Sequence, residues 1–339
     1  MSPLDRILVA AKASPAVISL AEGEDPRIVE GAVRAARDGI ARPVLIGAER
    51  AVRARLDAAG AAADAVAVID PATDSRIDRY ADLFREVRKR ADIGADDALA
   101  AARDPLAFAA LMVRAGDAQG TIAGAVATTA QTVRTAFRVI GRAPGVETVS
   151  SFFLMLPQTP EGGEPHPLPG AVLFADCGLI IEPTPQELAQ IAISSAESLA
   201  ALLDEPARIA FLSFSTHGSA RHERVTRVTD ALALARAARP DLTMDGELQF
   251  DAAFVPEVAA SKAPGSPLEG AANIFVFPSL EAANIGYKIA QRIGRARAIG
   301  PILQGLAAPA NDLSRGCSAR DVYDLIAVTS AQAAAQAKG

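Results

Sequence analysis

The sequence predicts an α/β protein of two domains. Short apolar runs alternate with longer segments of helical period along most of the chain, as in folds where helices cover a sheet. With 339 residues, the chain is long enough for two buried cores. After Ala143-Pro144-Gly145 the pattern changes to two long apolar runs around a polar connector, which indicates where the second domain begins.

The first part of the chain alternates strands with helices. We predict strands at Ala16–Leu20, 43–47, 65–69 and 120–124, the second and third of them buried. Asp25-Pro26 indicates a helix start, because aspartate is a good N-cap and proline suits the first helical position. A later helix is expected to begin at Thr129. The apolar face of the first of these helices is predicted to consist of Ile28, Val29, Ala32, Val33 and Ala36.

The second part begins with a predicted hairpin. Apolar runs at 148–156 and 171–176 flank a Pro- and Gly-rich connector, residues 158–169, which is typical of a hairpin with a long loop. Further strands are predicted at 209–213, 274–277 and 298–302. Helices are predicted at 184–203, Glu223–Ala238, 280–294 and 320–336.

Composition excludes several classes of protein. A formal net charge of −6 and the lack of a long basic run argue against nucleic-acid binding. We find neither a signal-peptide layout nor an apolar run of membrane-spanning length, so a soluble cytoplasmic protein is expected. Cys177 and Cys317 lie far apart without metal-ligand spacing and are expected to be free thiols in a reducing compartment.

A candidate anion site lies in Ser314-Arg315-Gly316. A hydroxyl, a guanidinium and a flexible glycine precede a predicted helix start, so backbone N–H groups and a fixed cation converge there. Asp321, in the first helical turn, adds a candidate general base. Alternatively, Ser318 and Asp321 form a capping box, which the local pattern alone favours because such boxes greatly outnumber catalytic bases.

A second candidate is the turn at residues 124–129. Its small residues would let backbone N–H groups approach a phosphate, and Arg134 would project from the second turn of the following helix. The alternative is a tight strand–helix connection with a threonine N-cap. The local pattern favours this alternative, since the segment matches no dinucleotide or nucleotide-triphosphate fingerprint.

Two other polar segments carry weaker signals. Asp245, Glu247 and Asp251 offer oxygen ligands, but they lack an EF-hand pattern or partner histidines, so we expect a structural or cleft-lining role and no metal site. His217 lies in a hydroxyl-rich loop after a strand. No serine or aspartate relay is evident in the sequence, and we expect this histidine to face solvent.

Taken in order, these segments resemble the phosphate acetyltransferase family. The resemblance extends from about Leu20 to Ala335 and is weakest at 48–78. Its most specific portion is 300–306 followed by 311–318. Other matching segments are residues 20–25, 143–146, 176–177, 183–184, 262–264 and 284–288.

The resemblance implies a reaction and an architecture. The reaction is reversible acetyl transfer between acetyl-CoA and phosphate, by direct attack of the CoA thiolate on acetyl phosphate. The architecture is a homodimer whose chains each have two α/β/α domains flanking a cleft, like isocitrate and isopropylmalate dehydrogenases. The first domain would comprise residues 1–146 plus 304–339, and the second 147–303. CoA and phosphate are substrates in this scheme, and no cofactor, metal, membrane or nucleic acid is implied.

The resemblance also implies roles for individual residues. Asp321 corresponds to the base that accepts the CoA thiol proton, Ser314 to a residue that stabilises the reacting group, and Arg315 to one that binds the phosphoryl group. The substrate-binding positions are Arg134, Thr129, Thr128 and Arg88.

The chain departs from the family pattern at three places. The segment 89–91 differs beside Arg88, Ala127 stands where the family often has histidine, and His217 stands where it often has lysine. No essential histidine is therefore expected at position 127, nor a catalytic role at 217.

The two roles considered for Asp321 make opposite demands. A desolvated carboxylate accepts a thiol proton more readily than one already bound to helix N–H groups. The sequence leaves both roles open.

Three alternative functions follow from the same residues. They are a phosphate acyltransferase for a longer chain such as butyryl, a non-catalytic acetyl-CoA-binding relative like the C-terminal part of large malic enzymes, and a dehydrogenase of similar fold. The intact Ser314-to-Ser318 motif favours acetyl transfer, and its presence with Asp321 argues against a non-catalytic relative. The dehydrogenase lacks an evident cofactor signature.

Overall fold

A computed structural model describes residues 1–89, 92–157 and 170–337. The chain folds as two units. Unit 1 comprises Pro3–Gly145 and Leu306–Gly339, and unit 2 comprises Val146–Gly305. The sequence had placed these changes of domain at 146/147 and 303/304.

Eleven strands and thirteen helices occur in the described residues. The strands are β1 (Ala16–Leu20), β2 (Ala41–Ile46), β3 (Ala67–Ile69), β4 (Gly120–Ala123), β5 (Ser150–Leu156), β6 (Val172–Ala175), β7 (Arg208–Leu212), β8 (Thr243–Leu248), β9 (Ile274–Val276), β10 (Arg297–Gln304) and β11 (Ala310–Asp312). The helices are α1 (Pro3–Ala13), α2 (Pro26–Arg37), α3 (Glu49–Ala58), α4 (Ile77–Val87), α5 (Ala95–Ala102), α6 (Pro105–Arg114), α7 (Thr129–Val139), α8 (Pro185–Leu203), α9 (Glu223–Ala238), α10 (Phe250–Phe254), α11 (Pro256–Lys262), α12 (Leu280–Arg292) and α13 (Ala319–Gln336).

Unit 1 is built on a parallel sheet of order β11-β4-β1-β2-β3. Helices cover both faces. On one face, Ser19 Oγ donates a hydrogen bond to the Ala109 carbonyl of α6, at 3.0 Å. On the other, Ile18 lies beside Gly120, where a Cβ would collide with Thr329 of α13. Because adjacent strand residues point to opposite faces, α6 and α13 enclose the sheet between them.

Unit 2 is built on a mixed sheet of order β10-β5-β6-β9-β7-β8, in which β10, β5 and β6 are antiparallel neighbours. Alternate strand residues, among them Phe153 and Phe174, share one core with α10, α11 and α12. The intervening residues face α8, where Gln304 Nε2 bonds Ser150 Oγ at 2.9 Å and Ser195 Oγ at 3.1 Å. The predicted α/β class, with helices on both faces of each sheet, is confirmed.

Most of the predicted elements form within a few residues of the expected bounds. The prediction of a buried strand at 65–69 is wrong in one respect: β3 is an edge strand, with Ala67 exposed and its other residues only half-buried. On α2, Val33 and Ala36 are half-buried, and Gly31 and Ala35 complete the buried face instead. The predicted hairpin strands pair, as β5 and β6, while their connector at 158–169 lies outside the described residues.

Candidate active site

Three loops of unit 1 meet at one edge of its sheet. Strands β11, β4 and β1 are parallel neighbours, so the loops that follow them share the carboxyl edge, where open α/β sheets commonly bind ligands. Asp312 pairs with Ala123 at the end of β11, which sets the loop at 313–318 beside the turn at 124–128. The loop after β1, residues 21–25, lies on the other side of β4.

The loop after β11 exposes a hydroxyl and a cation. Ser314 and Arg315 are both exposed, and Ser314 Oγ accepts a hydrogen bond from the Gly316 N–H at 3.2 Å. The Arg315 guanidinium makes no ion pair or hydrogen bond within the described residues. Cys317, which follows, is buried, and burial raises the pKa of its thiol to about 11.

Asp321 forms the capping box that the sequence raised as the alternative to a base. Its Oδ2 accepts hydrogen bonds from the Ser318 N–H and the Ser318 hydroxyl, both at 2.8 Å, and its own N–H donates to Ser318 Oγ at 3.3 Å. The residue is exposed. In the part of the chain that the structure describes, Oδ1 has no hydrogen bond, so one oxygen remains open to solvent or substrate.

In the turn after β4, which the sequence offered as a candidate phosphate site, the backbone N–H groups bind an internal carboxylate. The Glu22 carboxylate accepts from the N–H groups of Ala125, Val126 and Ala127, at 2.7, 3.1 and 2.7 Å. Thr128 is the N-cap of α7, in a capping box with Gln131. An internal carboxylate thus already occupies the N–H groups at 125–127, and the threonine cap foreseen as the alternative is present.

The other predicted substrate-binding residues lie on two contacting helices of unit 1. Thr129 and Arg134 belong to α7, and Arg88 follows the last residue of α4. The Arg134 side chain is exposed and makes no ion pair within the described ranges. Arg88 is half-buried, and its Nε is a buried donor without an acceptor among them. Both guanidinium groups, like that of Arg315, therefore lack a carboxylate partner among the described residues.

A buried carboxylate that the sequence did not single out lies beneath these loops. Asp312 is fully buried, and neither carboxylate oxygen has a hydrogen-bond partner of good geometry among the described residues. Burial raises its pKa to about 6, an effect that the nearby hydroxyls of Thr129 and Thr132 reduce and that the charge of Glu22 adds to. Its Oδ1 lies so close to Gly124 that a Cβ there would collide with it.

The carboxylates of the segment 245–251 in unit 2 each have a separate structural partner. Glu247 accepts from Ser215 Oγ at 2.7 Å, and Asp251 pairs with Lys262 at 2.7 Å. His217 is exposed as expected, but Asp245 lies 3.0 Å from its Nε2, a partner that the sequence did not reveal. No group of three or more histidine, cysteine, aspartate or glutamate side chains in the described ranges could hold a metal ion.

Comparison with known proteins adds to this geometry. The sequence model of the phosphate acetyl/butaryl transferase family matches residues 2–330. The chain belongs to this family. A phosphate acetyltransferase of Paracoccus denitrificans is 51% identical over 332 residues, which cover 98% of this chain and 99% of the relative.

Solved structures support the same conclusion. A phosphotransacetylase from Streptococcus pyogenes superposes with a TM-score of 0.89 at 43% identity, covering 98% of each chain. A 4-hydroxythreonine-4-phosphate dehydrogenase from Klebsiella pneumoniae, at 13% identity, has a TM-score of 0.53 over 94% of this chain and all of that one. The second similarity concerns the fold alone and agrees with the predicted dehydrogenase-like architecture.

Within this acyltransferase the structure adds Glu22, Arg27 and Asp312 to the residues around the site. The sequence offered one signal for the first of these, since residues 20–25 matched the family without an assigned role. Arg27 lies just beyond that segment, and Asp312 lies within the matching segment 311–318, where the sequence assigned it no role. The hydrogen-bond partners of Glu22 and Arg27 lie roughly 100 to 290 residues away, so no local sequence pattern predicts these contacts.

Proposed function

We propose that the chain transfers an acetyl group reversibly between acetyl-CoA and phosphate, forming acetyl phosphate and CoA. The observation that carries this proposal is Arg315, whose backbone carbonyl is held at 2.7 Å by Arg27 while its guanidinium stays exposed without a carboxylate partner among the described residues. An unpaired guanidinium on an anchored backbone is suited to a phosphoryl group, which it can bind through two parallel hydrogen bonds.

The first step is removal of the proton from the CoA thiol. The thiolate is the nucleophile, and a free thiol titrates near pH 8.5, so a base must take the proton at neutral pH. We assign this role to Asp321, whose Oδ2 is engaged by Ser318 while its Oδ1 has no hydrogen bond within the described ranges. The capping box holds the carboxylate in one orientation and leaves Oδ1 accessible, so the cap and the proton transfer use different oxygens.

The second step forms one bond and breaks another. The thiolate sulfur bonds to the acetyl carbonyl carbon of acetyl phosphate, and the resulting tetrahedral oxyanion collapses with cleavage of the carbon–oxygen bond to phosphate. The Ser314 hydroxyl is placed to stabilise the oxyanion, and Arg315 to bind the departing phosphate. We assign Arg134, Thr129, Thr128 and Arg88 to binding the substrates' phosphate groups.

Direct transfer is favoured over an acyl-enzyme on a cysteine of this chain. Burial raises the pKa of both thiols, to about 11 for Cys317 and well above the ordinary range for Cys177. Neither supplies a useful fraction of thiolate at neutral pH.

The proposed reaction involves no change of oxidation state, so no redox cofactor takes part, and we propose that no metal is needed either. We also propose that the chain acts in the cytoplasm as a homodimer. Its two cysteines are free, as a reducing compartment requires. None of the described helices is long and apolar enough to span a membrane.

The experiment is thioester formation from acetyl phosphate and CoA by purified protein in a chelating buffer. Acetyl phosphate is expected to react faster than butyryl phosphate, and added nicotinamide cofactor is expected to have no effect. Folded protein that forms no acetyl-CoA, or that requires a metal, would overturn the proposal. A preference for butyryl phosphate would overturn the choice of acetyl group.

A further inference from the structure

Two side chains from the β1–α2 segment, residues 21–27, hold together the loops of the candidate site. We propose that Arg27 and Glu22 are positioning residues for acyl transfer, which act through the loop at 313–318 and the turn at 124–128. This inference rests on the proposed function and assigns a role to a segment that the reaction scheme left without one.

Arg27 joins the two loops through their carbonyl oxygens. Its Nη1 donates to the Arg315 carbonyl at 2.7 Å and to the Cys317 carbonyl at 3.2 Å. Its Nη2 donates to the Ala125 carbonyl at 2.7 Å. Since one rigid, planar guanidinium makes all three bonds, it sets the distance between the two loops.

Asp25 holds that guanidinium in place. Its Oδ1 accepts from Arg27 Nε at 3.0 Å, and its Oδ2 accepts from Nη2 at 2.7 Å. Asp25 Oδ1 also accepts from the Arg27 N–H at 2.8 Å as the N-cap of α2. The hydrogen bond from the Arg27 side chain lowers the pKa of Asp25, so this pair stays charged at neutral pH.

The number of hydrogen bonds made by the Arg27 guanidinium indicates that this residue positions the loops and does not bind substrate itself. A guanidinium has five N–H donors. Arg27 uses one on Nε, two on Nη1 and two on Nη2, to Asp25 and to the three carbonyl groups. No donor is left for a phosphate, in contrast to Arg315, whose side chain makes no hydrogen bond among the described residues.

Glu22 holds the turn after β4 by accepting hydrogen bonds from the backbone N–H groups of that turn. Both of its oxygens accept from the three N–H groups at 125–127. A carboxylate held there repels a second anion, so the phosphate is directed to the unpaired arginines and away from the backbone of this turn. Glu22 and Arg27 therefore bind the donors and an acceptor of the same turn, and Arg27 connects that turn to the carbonyl groups of Arg315 and Cys317.

The first test compares Arg27→Lys with Arg37→Lys, an exposed arginine on the same helix whose one ion pair among the described residues is with Asp38. Lysine keeps the charge but cannot make five bonds in one plane. We expect kcat of Arg27→Lys to fall about 100-fold, the usual effect of a small misplacement of reacting groups, with KM for phosphate little changed. Arg37→Lys should keep the wild-type kcat. A wild-type kcat for Arg27→Lys would overturn the proposal.

Chemical rescue separates positioning from a general loss of stability. Millimolar guanidinium ion should restore part of the activity of Arg27→Ala and leave the activity of Arg37→Ala unchanged, because only the first variant both loses activity and leaves a site for the ion. Absence of rescue in folded Arg27→Ala would show that the residue contributes stability alone and would contradict the proposal.

Hydrogen exchange gives a readout that does not depend on activity. Arg27→Ala should speed amide exchange in peptides covering both 125–127 and 315–317, while Glu22→Gln should do so mainly at 125–127. Unchanged exchange in both variants would overturn the positioning role. If the wild-type protein formed no acetyl-CoA, the proposed function would fail, and the exchange data would still decide whether these residues hold the loops.

Discussion

At the scale of single residues, the candidate site combines groups with partners and groups without. Arg27 and Glu22 are fully engaged, whereas the Arg315 and Arg134 side chains make no ion pair within the described ranges. Asp312 is a buried carboxylate whose oxygens find no hydrogen-bond donor of good geometry there. Groups that already have hydrogen-bond partners hold the geometry of the site, whereas unpaired charges are available to bind substrate. The two kinds of group are therefore tested with different substitutions.

Asp321→Asn tests the base while keeping the cap. Asparagine can still accept the hydrogen bonds of a helix terminus but cannot take a proton from a thiol. We expect kcat to fall by roughly 10²–10⁴, with little change in KM. The free energy of unfolding should fall by no more than about 1 kcal/mol, as measured by denaturant titration.

Ser318→Ala is the matched control, because it removes the capping hydroxyl and leaves the carboxylate. It should cost about 1 kcal/mol of stability while keeping most of the activity. Near-normal kcat in Asp321→Asn together with lower stability would reduce Asp321 to a helix cap.

Arg315→Lys tests whether the planar guanidinium of Arg315 binds the phosphate through two hydrogen bonds. Lysine retains the charge but binds as a single point, so turnover should drop substantially in both directions of the reaction. Arg320→Lys, an exposed arginine in the first turn of α13, serves as the control and should behave as wild type. Normal kinetics of Arg315→Lys with acetyl phosphate and with phosphate would mean that Arg315 shapes the loop without binding substrate.

Asp312 should make stability depend on pH. Burial raises its pKa from 3.8 to about 6, so between these values the folded state binds a proton that the unfolded state lacks. Its contribution to stability is therefore greatest in acid and decreases as the pH rises through about 6, by up to roughly 3 kcal/mol. Asp312→Asn should remove this part of the pH dependence in thermal melts from pH 4 to pH 8. An unchanged slope would show that Asp312 does not titrate in this range.

At the scale of elements, the parallel pairing of β11 with β4 brings the loops that follow these two strands into close contact. Gly124 directly follows β4 with φ of +103°, and a Cβ there would collide with Asp312 Oδ1 and with the Leu313 backbone. Glycine is thus required twice at this position, for backbone conformation and for the close approach of the neighbouring loop.

Gly124→Ala should therefore cost more than Gly39→Ala. Gly39 also has a positive φ, of +70°, but its Cβ would enter open space. The strained backbone costs about 1–3 kcal/mol in either variant, and the collision adds to this only at position 124. Chemical denaturation measures both. Equal losses would mean that the loop after β11 can move away without cost.

At the scale of the whole molecule, an exposed apolar row on α12 bears on association between chains. Ile285, Ile289 and Ile293 recur at every fourth position at the surface of α12 and its C-terminal end, each more than half exposed. An apolar row of this kind is unusual on a surface that only meets water. It supports the proposed homodimer, with a second copy of the chain as the partner.

Light scattering should give twice the 35.0 kDa mass of one chain at micromolar concentration. Ile289→Lys should lower that mass towards a monomer, whereas Ile181→Lys, at an exposed isoleucine outside the row, should not. A monomeric wild-type protein would exclude the dimer.

Features that depend on neighbours a few residues away could be predicted from the sequence. Asp25 with Pro26 marked the start of α2, and Ser318 with Asp321 marked the start of α13, because a capping side chain bonds N–H groups two or three residues ahead. Apolar periodicity predicted most strands and the α/β class, because it too depends on residues that are close together in sequence. The edge strand β3 was predicted as buried because its apolar pattern does not show what lies beside it.

Which groups of the site already have partners could not be predicted from the sequence, because those partners are distant along the chain. Glu22 meets the turn at 125–127 across about a hundred residues, and Arg27 meets Arg315 across 288. The burial of Asp312 likewise depends on β4 and α7 folding against β11. Hydrogen bonding and desolvation act through space. The sequence could therefore predict candidate anion sites at 314–316 and at 124–129, whereas the fold was needed to show that a carboxylate binds the N–H groups of the second site.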